Sequence, residues 1–539
     1  MAVKYTEEQL NTVDKSLLIH LLLQQQEQLE ALTKELHASN EKMQLLMEQV
    51  ILGKQNRFGR FSEKMDDTSQ ISFREVDGTI VFFNEAEAVC DLSASEPENL
   101  ELKSSKQPKR KGKKEADLSG LAVKRIDHYL SDTELEAEFG INGWKQLPDA
   151  ISKKYHFVPA KVEVEEHHVG VYASKTDEHI VKADHPKALL HGSLVSPSLV
   201  AAIINGKYVN AVPLYRLEQE FQRYGLQITR QTMANWCIRL GEKYLSVLYD
   251  YLHKESYSYH VIQADETPVL VNHDGRKAGS KSWMWVYRSG HLYQNQQIVL
   301  YEYQQTRNAS HPREFLKGYD GVCVTDGYQV YHTLEKELEE LTIAGCWVHC
   351  RRRFDEALKL IPKSCQKESE AFLLMKQIQA IYREEGKLND ISSDERLKQR
   401  QAVIKPLVDA FFAYLKTIKA SRKDKFGDAV GYALNQERYL RVFLTDGDVP
   451  IDNNASERAI RGFCIGKKNW QMIDTINGAK TSAIIYSIVE TAKANHLKPF
   501  DYVQHLLEEI PKHMDDRDCS FLEDLLPWSE KLPAEIRKA

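Results

Sequence analysis

Residues 259–271 read YHVIQADETPVLV. Apolar and β-branched side chains dominate this run, as a strand requires, and two adjacent carboxylates, Asp265 and Glu266, interrupt it. Two further runs of the same character follow, SWMWVYRS (282–289) and QIVLYEYQ (297–304). Then the pattern changes. REFLKGY (313–319) reads as helix, GVCVTDGY (321–328) as a fourth strand, 329–340 as helix and LTIAGCWV (341–348) as a fifth strand.

Three strands, a helix, a strand, a helix and a strand describe a ribonuclease H-like core, with antiparallel hairpins continued by parallel strands. Such an order lets the first and fourth strands lie side by side. Asp265 is expected to close the first, and Asp326 stands at the carboxyl end of the fourth. Ligands of open α/β sheets collect beyond those ends. Strand alternation sends Asp265 and Glu266 to opposite faces, and Asp265 is chosen because the QADETP segment reads as a turn that leads Glu266 out of the strand.

From about 350 to 446 the chain reads helical and charged, and VPIDNNASERAIRG (449–462) follows. There Asp452 and Asn453 suit the cap of a helix, and Glu457 falls about one turn in. A helical insertion that loops out and returns would bring Glu457 to the two aspartates. Three carboxylates at one edge suit hard divalent cations, Mg²⁺ with Mn²⁺ as a substitute, and two such ions serve phosphoryl transfer. Arg458, Arg461, Lys467 and Lys468 then read as phosphate clamps. Each piece has a plainer reading: an Asp at a strand end is commonly a turn residue, and Glu457 among arginines can be a helix-surface charge cluster.

The rest of the chain supplies context. At 539 residues it is long enough for about three domains, and 42% hydrophobic residues suffice for cores. A net charge of −6 advertises no global basic field, so any nucleic-acid face must be a local patch. Eight scattered cysteines do not form a disulfide framework. Neither a signal peptide nor an apolar membrane span is read, and a cytoplasmic protein is expected.

Heptads run through Leu22, Leu29, Leu36, Met43 and Val50, with Leu18, Leu32 and Leu46 in the partner row. They fit a coiled coil pairing protomers through residues 18–50, or one amphipathic helix packed on its own chain. A small hairpin with an Asp77–Gly78 turn and the basic run KQPKRKGKK (106–114) follow. Two helices around Gly225 have a helix-turn-helix shape, and the second carries Arg230, Gln231, Asn235 and Arg239 as groove contacts. The expected organisation is a coiled-coil helix (1–53), a linker (54–117), a small β-rich module (118–195), the helix-turn-helix segment (196–250), the first part of the core (255–350), the helical insertion (351–446), the last part of the core (447–500) and a helical tail (501–539).

ADETPV, VTDGY, CWVHCRRRF (346–354), DNNASERAIR with GKKNW (466–470), IYSIVETAKANHLKP (485–499) and LLPW (525–528) occur in this order. Together the motifs resemble transposases of the insertion-sequence 66 family, and RFGRFSEK after the heptads resembles that family's opening. The resemblance implies a bacterial DDE transposase of a mobile element. It would bind double-stranded DNA at the end repeats and at the target, with Asp265, Asp326 and Glu457 as the metal triad. It also implies that His349, Arg352 and Arg353 lie beside the active site as DNA contacts, and that accessory proteins are among its partners. Members typically carry a cysteine-based zinc module, but residues 118–190 hold no cysteine, so no zinc is expected. A nuclease without strand transfer and an inactive DNA-binding regulator are the alternatives.

Overall fold

The structure, a computed structural model, describes residues 74–76, 79–81, 123–126, 128–141, 160–173, 180–184, 188–277, 279–290, 293, 295–419 and 424–538. The proposed coiled coil and the basic run at 106–114 lie outside them. The chain divides into two units, one containing Val164–Lys538 and the other Phe61–Glu163. In the second, Arg74–Val76 pairs antiparallel with Thr79–Val81, as two arms of the expected hairpin. Asp132–Phe139 is a helix, where strand was expected. Its cause is local: Glu134 Oε2 accepts from the Ser131 backbone N–H, at 2.8 Å, and from the Ser131 hydroxyl, the reciprocal arrangement of a capping box.

The first unit holds a two-stranded antiparallel sheet, Val171–Ala173 with Ile180–Lys182, in the segment expected to be β-rich, and is built on one mixed sheet of six strands. Its strands are β1 (Val261–His273), β2 (Lys281–Ser289), β3 (Val299–Gln304), β4 (Gly321–Thr325), β5 (Leu341–Gly345) and β6 (Ile473–Thr475). The order is β3-β2-β1-β4-β5, with β6 also on β1. The first three strands are antiparallel. β4 runs parallel to β1 and β5 parallel to β4. β1 does not close at Asp265; it continues through thirteen residues as the long arm of the hairpin with β2.

Helices cover both faces. Before the sheet come α1 (Pro197–Ile204), α2 (Leu214–Arg223), α3 (Arg230–Leu240) and α4 (Ser246–Ser256). Between strands lie α5 (Ser310–Phe315) and α6 (Gln329–Glu337). After β5 come α7 (Trp347–Lys359), α8 (Glu370–Glu385), α9 (Ser393–Gln399), α10 (Lys405–Thr417) and α11 (Lys425–Leu440). α12 (Asn454–Trp470), α13 (Ile476–Ala494) and α14 (Pro499–Glu509) complete the set used here. Strand alternation divides the core. Val261, Val322, Val324 and Ala344 join the cluster of α7, α8, α10 and α11, whose large members are Trp347, Phe354, Phe411 and Phe412. Ile262, Ala264, Cys323 and Ile343 join the cluster on the other side, with α4, α13 and α14.

The two helices expected around Gly225 are present as α2 and α3. Thr229 caps α3 by accepting from the Thr232 N–H at 3.1 Å. Met233, Cys237 and Leu240 are buried. No helix among the described residues is long and apolar enough to cross a membrane.

The outer edge of β3 is closed by side chains of α13 rather than by another strand. Ser487 accepts from the Tyr301 N–H at 2.7 Å. Thr491 accepts from the Val299 N–H and donates to its carbonyl, both at 3.0 Å. Just past the helix, Asn495 does the same for Gln297, at 3.0 and 2.7 Å. The i, i+4, i+8 spacing puts all three on one stripe, and an otherwise open edge is covered.

Thr491→Val keeps the shape but leaves the Val299 amide and carbonyl buried without partners. It should lower stability by about 1–3 kcal/mol, read as a lower denaturant midpoint, with Thr417→Val on the exposed end of α10 as control. A second outcome concerns β3. Burial pushes the Glu302 carboxyl from 4.5 to about 7, and the bond from Gln304 opposes this. The folded chain then holds a proton that the unfolded chain releases, so stability should fall as pH rises from 4.5 to about 7. Glu302→Gln should flatten that slope, gaining over the parent at pH 8 and not at pH 4; parallel pH–stability curves would refute it.

Candidate active site

The parallel register of β1 and β4 decides where the aspartates stand. The last register pair is Gln263↔Val324. Two residues further along each strand come Asp265 and Asp326, abreast at the carboxyl end of β4. β1 continues past this point, but β4 stops at Thr325, so the sheet opens there. Asp326 turns the chain by accepting the Tyr328 N–H at 2.8 Å.

Glu457 reaches the opening from α12, in its first turn and only 3% exposed. Asn453 does not cap this helix with its side chain. Instead its amide donates to the Ala264 carbonyl at 2.7 Å, and its backbone N–H donates to Cys346 Sγ at 3.2 Å. Asp452 supplies the turn, accepting from the Asn454 N–H at 3.1 Å. Asn453 therefore fixes the start of α12 to β1 and to the residue preceding α7.

The acids act on one another. Burial first, then Glu266, Asp326 and Glu457, push the Asp265 carboxyl well above the usual carboxylate range; the Glu266 N–H, donating at 2.9 Å, opposes them. Glu266 is on the other face. Arg307 grips it, with Nε at 2.9 Å from Oε1, and Tyr331 donates to Oε2 at 3.0 Å. The Arg307 guanidinium also lies over the rings of Tyr328 and Trp283, at 3.6 and 4.7 Å. Glu266 is thus neutralised and held aside, and the reason to prefer Asp265 is the strand face rather than a turn.

Glu457 faces α7. Arg352 lies 3.4 Å from Oε2, and His349 Nδ1 3.6 Å from Oε1. Burial holds His349 down at about 4, with Asp326 pulling up and Arg352 and Arg353 pushing down. The imidazole is therefore neutral at ordinary pH. Cys346 completes this corner.

Asp265, Asp326 and Glu457 are carboxylates from three elements, the donor type of a hard divalent cation, which takes such oxygens together with water. Among the described residues, the set whose ligand atoms all lie within 4.8 Å of one another is Cys346, His349 and Glu457 rather than the three acids. Burial first, and then the neighbouring carboxylates, disfavour charge on Asp265, and a cation would offset both.

The other expected residues divide into exposed and committed. Arg230, Gln231, Asn235 and Arg239 are exposed on α3, with Gln231 donating to Asn235 at 3.3 Å. Arg458, Arg461 and Lys468 are exposed along α12. Lys467 is tied into the fold, donating to the Pro268 carbonyl at 2.8 Å and to Thr267 at 3.3 Å. Arg353 pairs with Asp428 at 2.8 Å and lies over the Tyr432 ring. The sequence reading missed Arg307, Tyr331 and the tethering role of Asn453. It saw Cys346 only as close to Cys350 with no second pair to complete a zinc site, and passed over the Cys-x-x-His spacing of CWVH.

Comparison with known proteins places the chain in a family. Residues 192–481 match the family described as Transposase IS66 family, and residues 487–528 match the IS66 C-terminal element. Among similar proteins, the uncharacterized protein y4qI of Sinorhizobium fredii is 30% identical over 391 residues, covering 70% of this chain and 71% of that protein. The uncharacterized protein y4jD of the same organism is 27% identical over 397 residues, covering 72% and 76%. By these matches, which take in the sheet, its helical insertion and the Glu457 helix, the chain belongs to the IS66 transposase family.

Proposed function

We propose that the chain is a DDE transposase whose sheet is a ribonuclease H-like core. In this reading Asp265, Asp326 and Glu457 hold two Mg²⁺ ions, or Mn²⁺ in their place. The observation that carries the reading is the parallel register of β1 and β4, which sets Asp265 and Asp326 abreast at the open end of the sheet, with the head of the Glu457 helix tied to β1 through Asn453. When bound, the cations supply nucleophile activation and charge stabilisation at a scissile phosphate.

The chain's own groups do the rest. Arg458, Arg461 and Lys468 present positive charge along the outer side of α12, where a DNA backbone can lie. Lys467 orients the Thr267–Pro268 segment of β1 beside the acids. Arg307 keeps Glu266 from competing with Asp265. α3 offers Arg230, Gln231, Asn235 and Arg239 to the end repeats, and residues 18–50 pair two protomers so that both ends are held. Strand cleavage frees a 3′-hydroxyl, which then attacks a target phosphodiester. No side chain need become covalently attached to DNA.

Asp265→Asn, Asp326→Asn and Glu457→Gln should each lower cleavage of labelled end DNA in Mg²⁺ by at least about 10²–10³-fold, the scale of losing one preorganised electrostatic partner, while end binding persists. Undiminished cutting by any one of them removes that residue from the site. Joined target products separate a transposase from a simple nuclease. Arg239→Ala should weaken end binding and reduce the salt slope of log K by about one if that side chain meets a phosphate; an unchanged slope places it off the backbone.

A further inference from the structure

Cys346, His349 and Glu457 offer a sulfur, a nitrogen and an oxygen that all lie within 4.8 Å of one another. Cys346 immediately precedes α7 and His349 lies in its first turn, so a Cys-x-x-His spacing aims both at one point. Glu457 arrives from α12, fixed there by Asn453, whose backbone N–H also touches Cys346 Sγ. Nδ1 of His349 is buried without a hydrogen-bond partner, since the Glu457 oxygen at 3.6 Å is too far for one. Arg352 engages the other oxygen of Glu457. Cys346 is 1% exposed, whereas the His349 side chain is 24% exposed and gives the corner its contact with solvent.

Sulfur with imidazole is not the donor set of Mg²⁺. It selects softer ions of the zinc class, and three protein ligands leave a position for water. We propose that Cys346, His349 and Glu457 form a site for a thiophilic divalent cation, and that its occupation withdraws Glu457 from Asp265 and Asp326. The binding half stands on this geometry alone; the withdrawal rests on the reading of the acidic cluster given above. On binding, the Cys346 thiol releases its proton to solvent and the sulfur becomes the ligand. Micromolar Zn²⁺ should then inhibit end cleavage even in excess Mg²⁺, and Cys346→Ser should resist it.

The test uses the full-length chain, reduced and stripped with a chelator, and Co²⁺ as a spectroscopic stand-in. A thiolate-to-cobalt charge-transfer band should grow to one equivalent and be displaced by Zn²⁺. It should vanish in Cys346→Ser and weaken in His349→Ala, a change at a partly exposed side chain that folding should tolerate. Zn²⁺ affinity in Cys346→Ser should fall by more than about 100-fold, beyond the 10–100-fold range of outer-sphere changes. No band in the parent chain, or a band unaffected by either variant, overturns the site. Asp265→Asn should keep the band; if that variant also keeps cutting DNA, the acidic-cluster reading fails and the thiophilic site remains.

Discussion

The hydrogen bond from the Asn453 side chain to the Ala264 carbonyl holds the site together. Asn453 is fully buried, so its donors cannot exchange protein partners for water. Through it, three segments that are remote in sequence meet at one residue: β1 next to Asp265, the start of α7 at Cys346, and the head of α12. Glu457 is one helical turn from Asn453, so this amide places the backbone that carries its side chain. A misplacement of this single amide would carry the glutamate away from both aspartates while leaving the sheet intact.

The same economy governs the insertion between Asp326 and Glu457. It forms its own aromatic cluster, but that cluster takes in Val261, Val322 and Val324 from the sheet, so it is a wall of the core rather than an appendage. Its exit is shaped by two buried arginines. Arg396 donates to the Gly447 carbonyl at 2.9 Å, and Arg400 donates to those of Phe443 and Asp446 at 2.8 and 2.7 Å. Glu385 balances the second charge. Gly447 runs so close to α9 that an added Cβ would stand 2.0 Å from the Ser393 carbonyl oxygen. The chain is thus returned toward β1 along a fixed course, which is what allows a long insertion to deliver a glutamate to a defined place.

How much of this was legible follows from which interactions are local. The strands of the sheet were readable because their β-branched and aromatic runs are continuous, and the pairing of Asp265 with Asp326 was readable because strand order fixes it. Residues 132–139 were misread because the segment was taken as β-rich as a whole, and the local Ser131–Glu134 cap was not considered. Asn453 looked like a cap because capping is what an Asn before a helix usually does; its tether to Ala264 spans a separation no local pattern records. Lys467 looked like a phosphate clamp for the same reason, since its carbonyl partner at Pro268 is invisible in sequence. Ser487, Thr491 and Asn495 sat in a quoted motif whose helical stripe could be seen, but that the stripe closes a sheet edge depends on what lies opposite.

Charge balance at the sheet opening narrows what can occupy it. Four carboxylates gather there, those of Asp265, Glu266, Asp326 and Glu457. Two guanidinium groups answer them, and each is assigned: Arg307 to Glu266 and Arg352 to Glu457. His349, held down at about 4, contributes no charge at neutral pH. The remainder falls on Asp265 and Asp326, neither of which forms an ion pair among the described residues, although Arg307 also acts on Asp326 from beside Glu266. The protein alone relieves this by raising the proton affinity of Asp265. A lysine in the gap would relieve it permanently and seal the opening; its absence there is what leaves the position to something that can come and go. A bare proton neutralises one charge and brings no open coordination position. A divalent cation matches both charges and retains sites for water and for a phosphate oxygen; a second ion, as the two-metal reading asks, would draw its compensating charge from Glu457 and from the scissile phosphate itself.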